Sequence, residues 1–479
     1  MKGVITQFVA MTIISVGNFF TGYSVAWPSY ALTVLEGEQS PIGTISKYEG
    51  NLVGSLPMLG SLLSTLVVGC ICDHIGRKNT ELLCGLCFVL AWSIQATAKN
   101  VILLLIGRFI IGVAGGAHFI GCLAFVSEIC QDNLKGPMTT TLMFTYCFGT
   151  LVSYVTGWLL SYQLINYLNL TWSVLWVVLI VTILKETPAF LLQHGREKEA
   201  LKSLKFYRGE SYTTPDILDE LAYLKGQNSN TNTVSGPVRE TLKLNDEKFD
   251  EGYKTHEKDI SAWRLLCTSK SNQRAVFLTT TNAVLLVFGG TIAVQAYAGP
   301  LFTRAAPALS PHMCSIILSV AFAAGSLLST VVGGFLQRRI LMITSALTSA
   351  LFLGVLASLV RWSWGPQWMV PGAVLAYCSC FQLGVANVPF VQLSESFVPK
   401  MKSLTSMIVS SAMCIANFVV LALFSPTVDL LGLDGTFLMF SFICAATGLL
   451  AFLTMKETKG RTVEEIQEMY AKGLFNCNG

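Results

Sequence analysis

Apolar runs, uncharged but for an arginine in the fourth and each about the 20 residues that cross a bilayer as a helix, recur along this chain between short charged or turn-forming stretches. Twelve are predicted to be spanning helices: 4–32, 51–70, 82–98, 101–125, 138–162, 171–184, 275–300, 313–335, 340–360, 369–393, 403–426 and 435–455. The uncharged stretch 136–184 is too long for one helix, so it is divided at the polar segment SYQLINYLNLT, which leaves the sixth run short. The expected fold class is an all-α membrane protein with six spans, a water-facing connection and six more spans.

The pattern changes between the sixth and seventh runs. Residues 185–274 hold 29 of the chain's 60 charged residues (32 Lys and Arg, 28 Asp and Glu), which marks a linker in water. Inside it, 197–207 is amphipathic. A second helix is expected to open at Thr214-Pro215, as cap and first-turn residue, and to close at Gly226. The polar GQNSNTNTVSG that follows reads as a flexible connection. The expected organisation is an N-terminal six-helix bundle (1–184), a linker with short amphipathic helices (185–274), a C-terminal six-helix bundle (275–455) and a tail (456–479).

Composition agrees with this reading. With 52% hydrophobic and 13% charged residues and a mean hydropathy of +0.58, the chain is too apolar for an ordinary soluble protein. The first apolar run, 3–35, is too long for a signal-peptide core. Most of the 14 cysteines fall in apolar runs, where cysteine acts as a small hydrophobe. An even number of spans puts both termini on one side. Placing them in the cytoplasm gives inner loops carrying Arg77, Lys78, Lys135, Arg338, Arg339, Lys400 and Lys402, against Lys99, Arg304 and Arg361 outside, which satisfies the positive-inside rule. In this topology the sequon Asn169-Leu170-Thr171 falls outside, so Asn169 is a candidate for N-glycosylation.

Two features repeat between the halves. The second run leads into Asp73-His74-Ile75-Gly76-Arg77-Lys78, and the eighth into Gly334-Phe335-Leu336-Gln337-Arg338-Arg339. The basic pair is kept; the acid and the glycine are not. Ser127-Glu128 after the fourth run is echoed by Ser394-Glu395 after the tenth, each followed by a lysine, Lys135 and Lys400. Two related halves joined by a linker is the layout of an alternating-access transporter.

At these residues the chain resembles the sugar porter family of the major facilitator superfamily, and within it the insect trehalose and hexose facilitators. The likeness extends to Gly107-Arg108-Phe109 with Gly112 and Gly116, to Phe125-Val126-Ser127-Glu128, to Glu186-Thr187-Pro188-Ala189-Phe190-Leu191 and to Glu457-Thr458-Lys459-Gly460. The resemblance implies a cytoplasmic gate of Asp73, Arg77, Lys78, Glu128, Lys135, Arg338, Arg339 and Glu395, forming ion-pair networks that link the halves in one state of the cycle and break in the other.

It also implies a sugar site, and there the chain departs from the family. Positions that carry polar contacts in sugar porters are here Met143, Leu286, Val287, Ile292, Phe322 and Phe390; Tyr146, Thr291, Gln295, Gln382, Asn387 and Asn417 remain polar. These twelve are the candidate substrate-binding residues. Proton-driven relatives carry a carboxylate in the first span after a Gly-Tyr pair, whereas here Gly22-Tyr23 is followed by Ser24. The intramembrane Arg108 therefore has no proton-carrying partner and is expected to bond backbone carbonyls and hydroxyls. His118, alone on an apolar run, is read as a packed side chain.

The resulting expectation is uncoupled transport of a sugar such as trehalose or a hexose by a monomer in the plasma membrane. Its partners are a sugar-like solute and the bilayer, with no nucleic acid, cofactor or metal. A carrier of a less polar organic solute and a non-transporting sensor on the same scaffold are the alternatives. No phosphate-binding loop or metal-spaced cluster supports an enzyme.

Overall fold

In the computed structural model, residues 2–38, 40–130, 132–210, 214–229, 262–397 and 399–473 are described. Every regular element among them is helical. The first half comprises α1 (Lys2–Ala26), α2 (Pro28–Leu35), α3 (Lys47–Ile75), α4 (Arg77–Thr97), α5 (Val101–Ile129), α6 (Asp132–Leu159) and α7 (Tyr162–Ile183). The linker forms α8 (Pro188–Gln193), α9 (Glu197–Arg208) and α10 (Pro215–Ser229), and α11 (Ala262–Thr268) precedes the second half. That half comprises α12 (Lys270–Phe288), α13 (Thr291–Ala296), α14 (Ala298–Ala305), α15 (Pro311–Phe335), α16 (Arg338–Trp362), α17 (Met369–Leu383), α18 (Val388–Ser396) and α19 (Pro399–Thr454), with α20 (Val463–Lys472) in the tail. Eleven helical segments are long and apolar enough to cross a membrane. One of them, within α19, turns at Gly432 (φ 75°) and supplies two crossings, which makes twelve.

Local chemistry explains several boundaries. Ser46 and Glu49 form a reciprocal cap at the start of α3, as Thr462 and Glu465 do for α20. Gly76, at φ 99° between α3 and α4, also lies against the Glu186 carboxylate, where any Cβ would collide. The seventh span breaks at Gly290, whose φ of 88° and contact with the Phe440 ring exclude a side chain. In the tenth span, residues 384–387 interrupt the helix between α17 and α18.

Three expectations are corrected. The sixth span is a full helix from Tyr162, not a short one from 171, because the segment read as a polar loop is amphipathic helix. Asn169 consequently sits inside α7, buried, with its amide donating to Ile165 O at 2.9 Å; it is not an outer-loop glycosylation acceptor. And α10, which opens at Pro215 directly after Thr214 as expected, runs through Gly226 to Ser229 instead of closing there.

In the first half α5 packs against α3 and α4, α1 against α6, and α4 against α7. The second half repeats this, with α16 against α17 and α19, and α15 against α17. The halves meet along α3 with α19 and α6 with α15. We call the face carrying both termini the near face and its opposite the far face. On the near face α9 docks on α1, and α20 docks on α12 around Phe397, Met401, Ile466 and Tyr470. Helices α8, α9 and α10 share a small core of Phe190, Leu191, Ala200, Leu204, Ile217 and Leu221.

Candidate functional site

Two ion-pair assemblies occupy the near face, one in each half. In the first, Arg77 Nε donates to Glu128 Oε1 at 2.8 Å and Nη2 lies 3.2 Å from Asp73. The other Glu128 oxygen accepts from Thr187 Oγ1 at 2.5 Å. Glu186 Oε1 accepts the backbone N–H groups of Arg77 and Lys78, at 2.9 and 3.0 Å, at the positive end of α4. The second assembly repeats the first. Arg338 Nη2 lies 3.4 Å from Glu395, Thr458 Oγ1 donates to Glu395 at 2.5 Å, and Glu457 accepts the N–H groups of Arg338 and Arg339 at 3.1 and 3.0 Å.

These contacts lie within one half each, and the expected link between the halves belongs to the other state of the cycle. Lys78 and Arg339 have parallel roles of another kind. Lys78 Nζ donates to Leu184 O at 2.6 Å, at the end of α7, and Arg339 Nη2 to Phe452 O at 2.7 Å, near the end of the twelfth span. Both are cations at helix C-termini. The side chains of Lys135 and Lys400 lie outside the described residues.

The polar contacts between halves among the described residues gather toward the far face. Ser29 Oγ accepts from Gly299 N at 2.7 Å, Tyr154 donates to Gln295 O at 2.5 Å, and Ser425 donates to Asn51 at 2.6 Å. Lys47 lies 3.7 Å from Asp429, and the Trp158 and His312 rings stack. A cleft opens above them, lined by Glu36, Lys47, Asn51, Arg304 and Asp429 over the stacked rings of Tyr297 and Phe424. Burial raises the Glu36 carboxyl above its usual range, against the opposing pull of Lys47 and Arg304.

The candidate solute residues divide into two sets. Some polar groups are committed inside the protein: Tyr377 donates to Gly289 O at 2.7 Å and accepts from Thr291 at 3.0 Å, which ties down the break in the seventh span. Asn387 Nδ2 donates to Ser329 Oγ and Gln382 O, at 2.8 and 2.7 Å, across the break in the tenth. Gln295 is buried against the contact from Tyr154. Phe322 and Val287 are core residues. Met143, Tyr146, Leu286, Ile292, Gln382, Phe390 and Asn417 are only partly buried.

The family model for sugar (and other) transporters matches residues 10–470. The chain belongs to this transporter family. Among its relatives, the facilitated trehalose transporter Tret1-2 homolog of Drosophila sechellia is 23% identical over 471 residues, covering 96% of this chain and 90% of that protein. Facilitated trehalose transporter Tret1 of Drosophila mojavensis is 24% identical over 470 residues, and the match spans 51% of its length. Among solved structures, the inward open conformation of the xylose transporter XylE from E. coli superposes with a TM-score of 0.76 at 17% identity, covering 97% of this chain and 99% of that one. XylE bound to 6-bromo-6-deoxy-D-glucose gives 0.72 at 18% identity, over 98% of this chain and all of that one. The fold is that of the major facilitator superfamily, and a family of transporters sets the enzyme reading aside.

Within this transporter fold, Arg108 is 1% exposed. Its Nε donates to Val53 O at 2.9 Å, Nη1 to Ser24 Oγ at 3.0 Å and Nη2 to Ser24 O at 3.1 Å, with the Trp27 ring 5.1 Å from the guanidinium carbon.

Sequence reasoning missed two groups. Glu186, Thr187, Glu457 and Thr458 serve the near-face assemblies; their signal was the Glu-Thr pair repeated after the sixth and twelfth spans, treated only as a family landmark. The second is an ion pair with both side chains 0% exposed, His118 Nδ1 to Glu81 Oε2 at 2.6 Å. Starting the third span at 82 left Glu81 in a loop, and His118 without a partner.

Proposed function

We propose that this chain is an uncoupled, facilitated carrier of a sugar such as trehalose or a hexose, working by alternating access as a monomer in the plasma membrane with its near face in the cytoplasm. The family and the trehalose transporters among its relatives support the sugar class. The observation that carries the uncoupled reading is Arg108: its donors go to a serine hydroxyl and two carbonyls, none of which takes up a proton near neutral pH. The far-face contacts between halves support a far-closed state of the rocking cycle. In that cycle the near-face carboxylates form the cytoplasmic gate.

The test uses purified protein in liposomes. Labelled trehalose and glucose are expected to equilibrate across the bilayer at equal pH inside and outside, with no accumulation under an imposed pH gradient. Concentrative uptake abolished by a protonophore would overturn the reading, as would binding without equilibration.

A second reading, a less polar organic solute, draws on the internal commitment of Thr291 and Asn387 and on the apolar, partly buried Met143, Leu286, Ile292 and Phe390. A buried sugar hydroxyl left unpaired costs about 1–3 kcal/mol, so this lining disfavours a heavily hydroxylated ligand. A solute panel from trehalose through polyols to apolar organic compounds separates the two.

A further inference from the structure

The first half holds two buried cation centres, and only one has a counterion. His118 faces Glu81. Arg108 has no carboxylate partner among the described residues; its electrostatic neighbours are the phenols of Tyr30, Tyr162 and Tyr297. Three of its N–H groups are used, by Val53 O and by Ser24 Oγ and O, and a guanidinium has five. Two further buried polar atoms beside it lack a partner. Trp27 Nε1 belongs to the indole that lies under the guanidinium. Tyr162, whose ring lies 5.7 Å from that of Trp27, carries a hydroxyl close to the Asn166 amide without a formed hydrogen bond to it.

A buried, uncompensated charge is costly, and each buried donor without an acceptor adds to that cost. Water relieves the donors but leaves the charge, and a cation is repelled. A small anion answers both needs at once. We propose that Arg108, Ser24, Trp27 and Tyr162 form a binding site for a small monovalent anion of the size of chloride. Access is from the far face. Val53, whose carbonyl holds Arg108, lies two residues from Asn51 in the wall of the far-face cleft, and Tyr297 is shared by that wall and the Arg108 neighbourhood. The basic groups Lys47 and Arg304 line the same cleft. An anion there joins α1, α5 and α7, stabilising the first half whichever solute is carried.

The test is thermal unfolding of the purified full-length protein in detergent, titrated with chloride at constant ionic strength with gluconate as the replacing anion. The expected result is a saturable rise in melting temperature that follows chloride occupancy. Ser24→Asp places a carboxylate within reach of Arg108 Nη1 and supplies the counterion internally. It is expected to raise the melting temperature in gluconate and to abolish the chloride response. Trp27→Phe keeps the ring but removes the N–H, and is expected to weaken apparent chloride affinity several-fold. A wild-type protein with no chloride-specific shift overturns the proposal, as does a shift of unchanged size and midpoint in either variant.

Discussion

The two near-face assemblies share one design and differ in tightness. In the first half, Arg77 and Glu128 are 2.8 Å apart with side chains 8% and 17% exposed; in the second, Arg338 and Glu395 are 3.4 Å apart at 18% and 28%. Asp73 adds a second carboxylate to Arg77, where the second half has Gly334. Behind the first assembly lies the buried Glu81–His118 pair. Counting four residues on from Arg338 and ten back from Glu395, the second half has Met342 and Val385 there, both buried. What the halves share is the helix-end chemistry, a carboxylate on the first N–H groups of α4 and α16 and a threonine on the paired glutamate. What they do not share is how much charge is removed from water. More charge is withdrawn from water in the first half than in the second.

The largest expected effect tests that buried difference. Glu81→Gln or His118→Ala strands one charged partner and should lower stability by about 3–5 kcal/mol, read by denaturant or thermal unfolding in detergent. Glu81→Met with His118→Val, which copies the second half, should recover most of that loss, since apolar replacement of both members of a buried pair is often neutral. If the double variant is as damaged as the singles, the pair does more than neutralise itself and the comparison fails.

The latches themselves come next. Arg77→Gln leaves Glu128 and Asp73 without their cation and should cost about 2–4 kcal/mol, while Arg338→Gln at the longer, wetter pair should cost about 1 kcal/mol or less. Equal losses would remove the claimed asymmetry. Thr187→Val and Thr458→Val, by contrast, should match each other at about 1.5 kcal/mol each, because both hydroxyls donate to a carboxylate at the same distance. A marked difference between these two would show that the shared chemistry is not equivalent.

The sequence made the architecture legible because spanning helices are written in long uncharged runs, a signal tolerant of errors of several residues. It failed where polarity and helicity part company. SYQLINYLNLT looks like a loop, yet Asn166, Asn169 and Ser173 face the protein interior from one side of α7. The site was legible in part. Glu128 and Arg77 stand out because charge at a span end is conspicuous, whereas Glu186 and Glu457 bond main-chain N–H groups and are signalled only by the Glu-Thr pair repeated after the sixth and twelfth spans. Thr291 and Asn387 looked available for a solute; only geometry shows them bound to their own helix breaks.

The smallest effects concern the docked helices α9 and α20. Tyr207 donates to Lys185 O at 2.6 Å and accepts from Lys185 N at 3.1 Å, while Tyr470 accepts from Gln392 Nε2 at 2.9 Å. Tyr207→Phe should cost about 1–1.5 kcal/mol and Tyr470→Phe about 0.5–1 kcal/mol, in proportion to the bonds removed. Burial raises both phenols above their ordinary value of 10.0. A phenol with a raised pKa in the folded state keeps its proton after the unfolded chain has lost it. Its contribution is therefore constant below about pH 10 and falls as pH rises beyond that. The stability difference between wild type and each phenylalanine variant should accordingly be flat from pH 6 to 9 and shrink only above pH 10. A difference that changed near neutral pH would mean that the docking of α9 or α20 depends on another titrating group, and the symmetry of the two near-face helices would have to be given up.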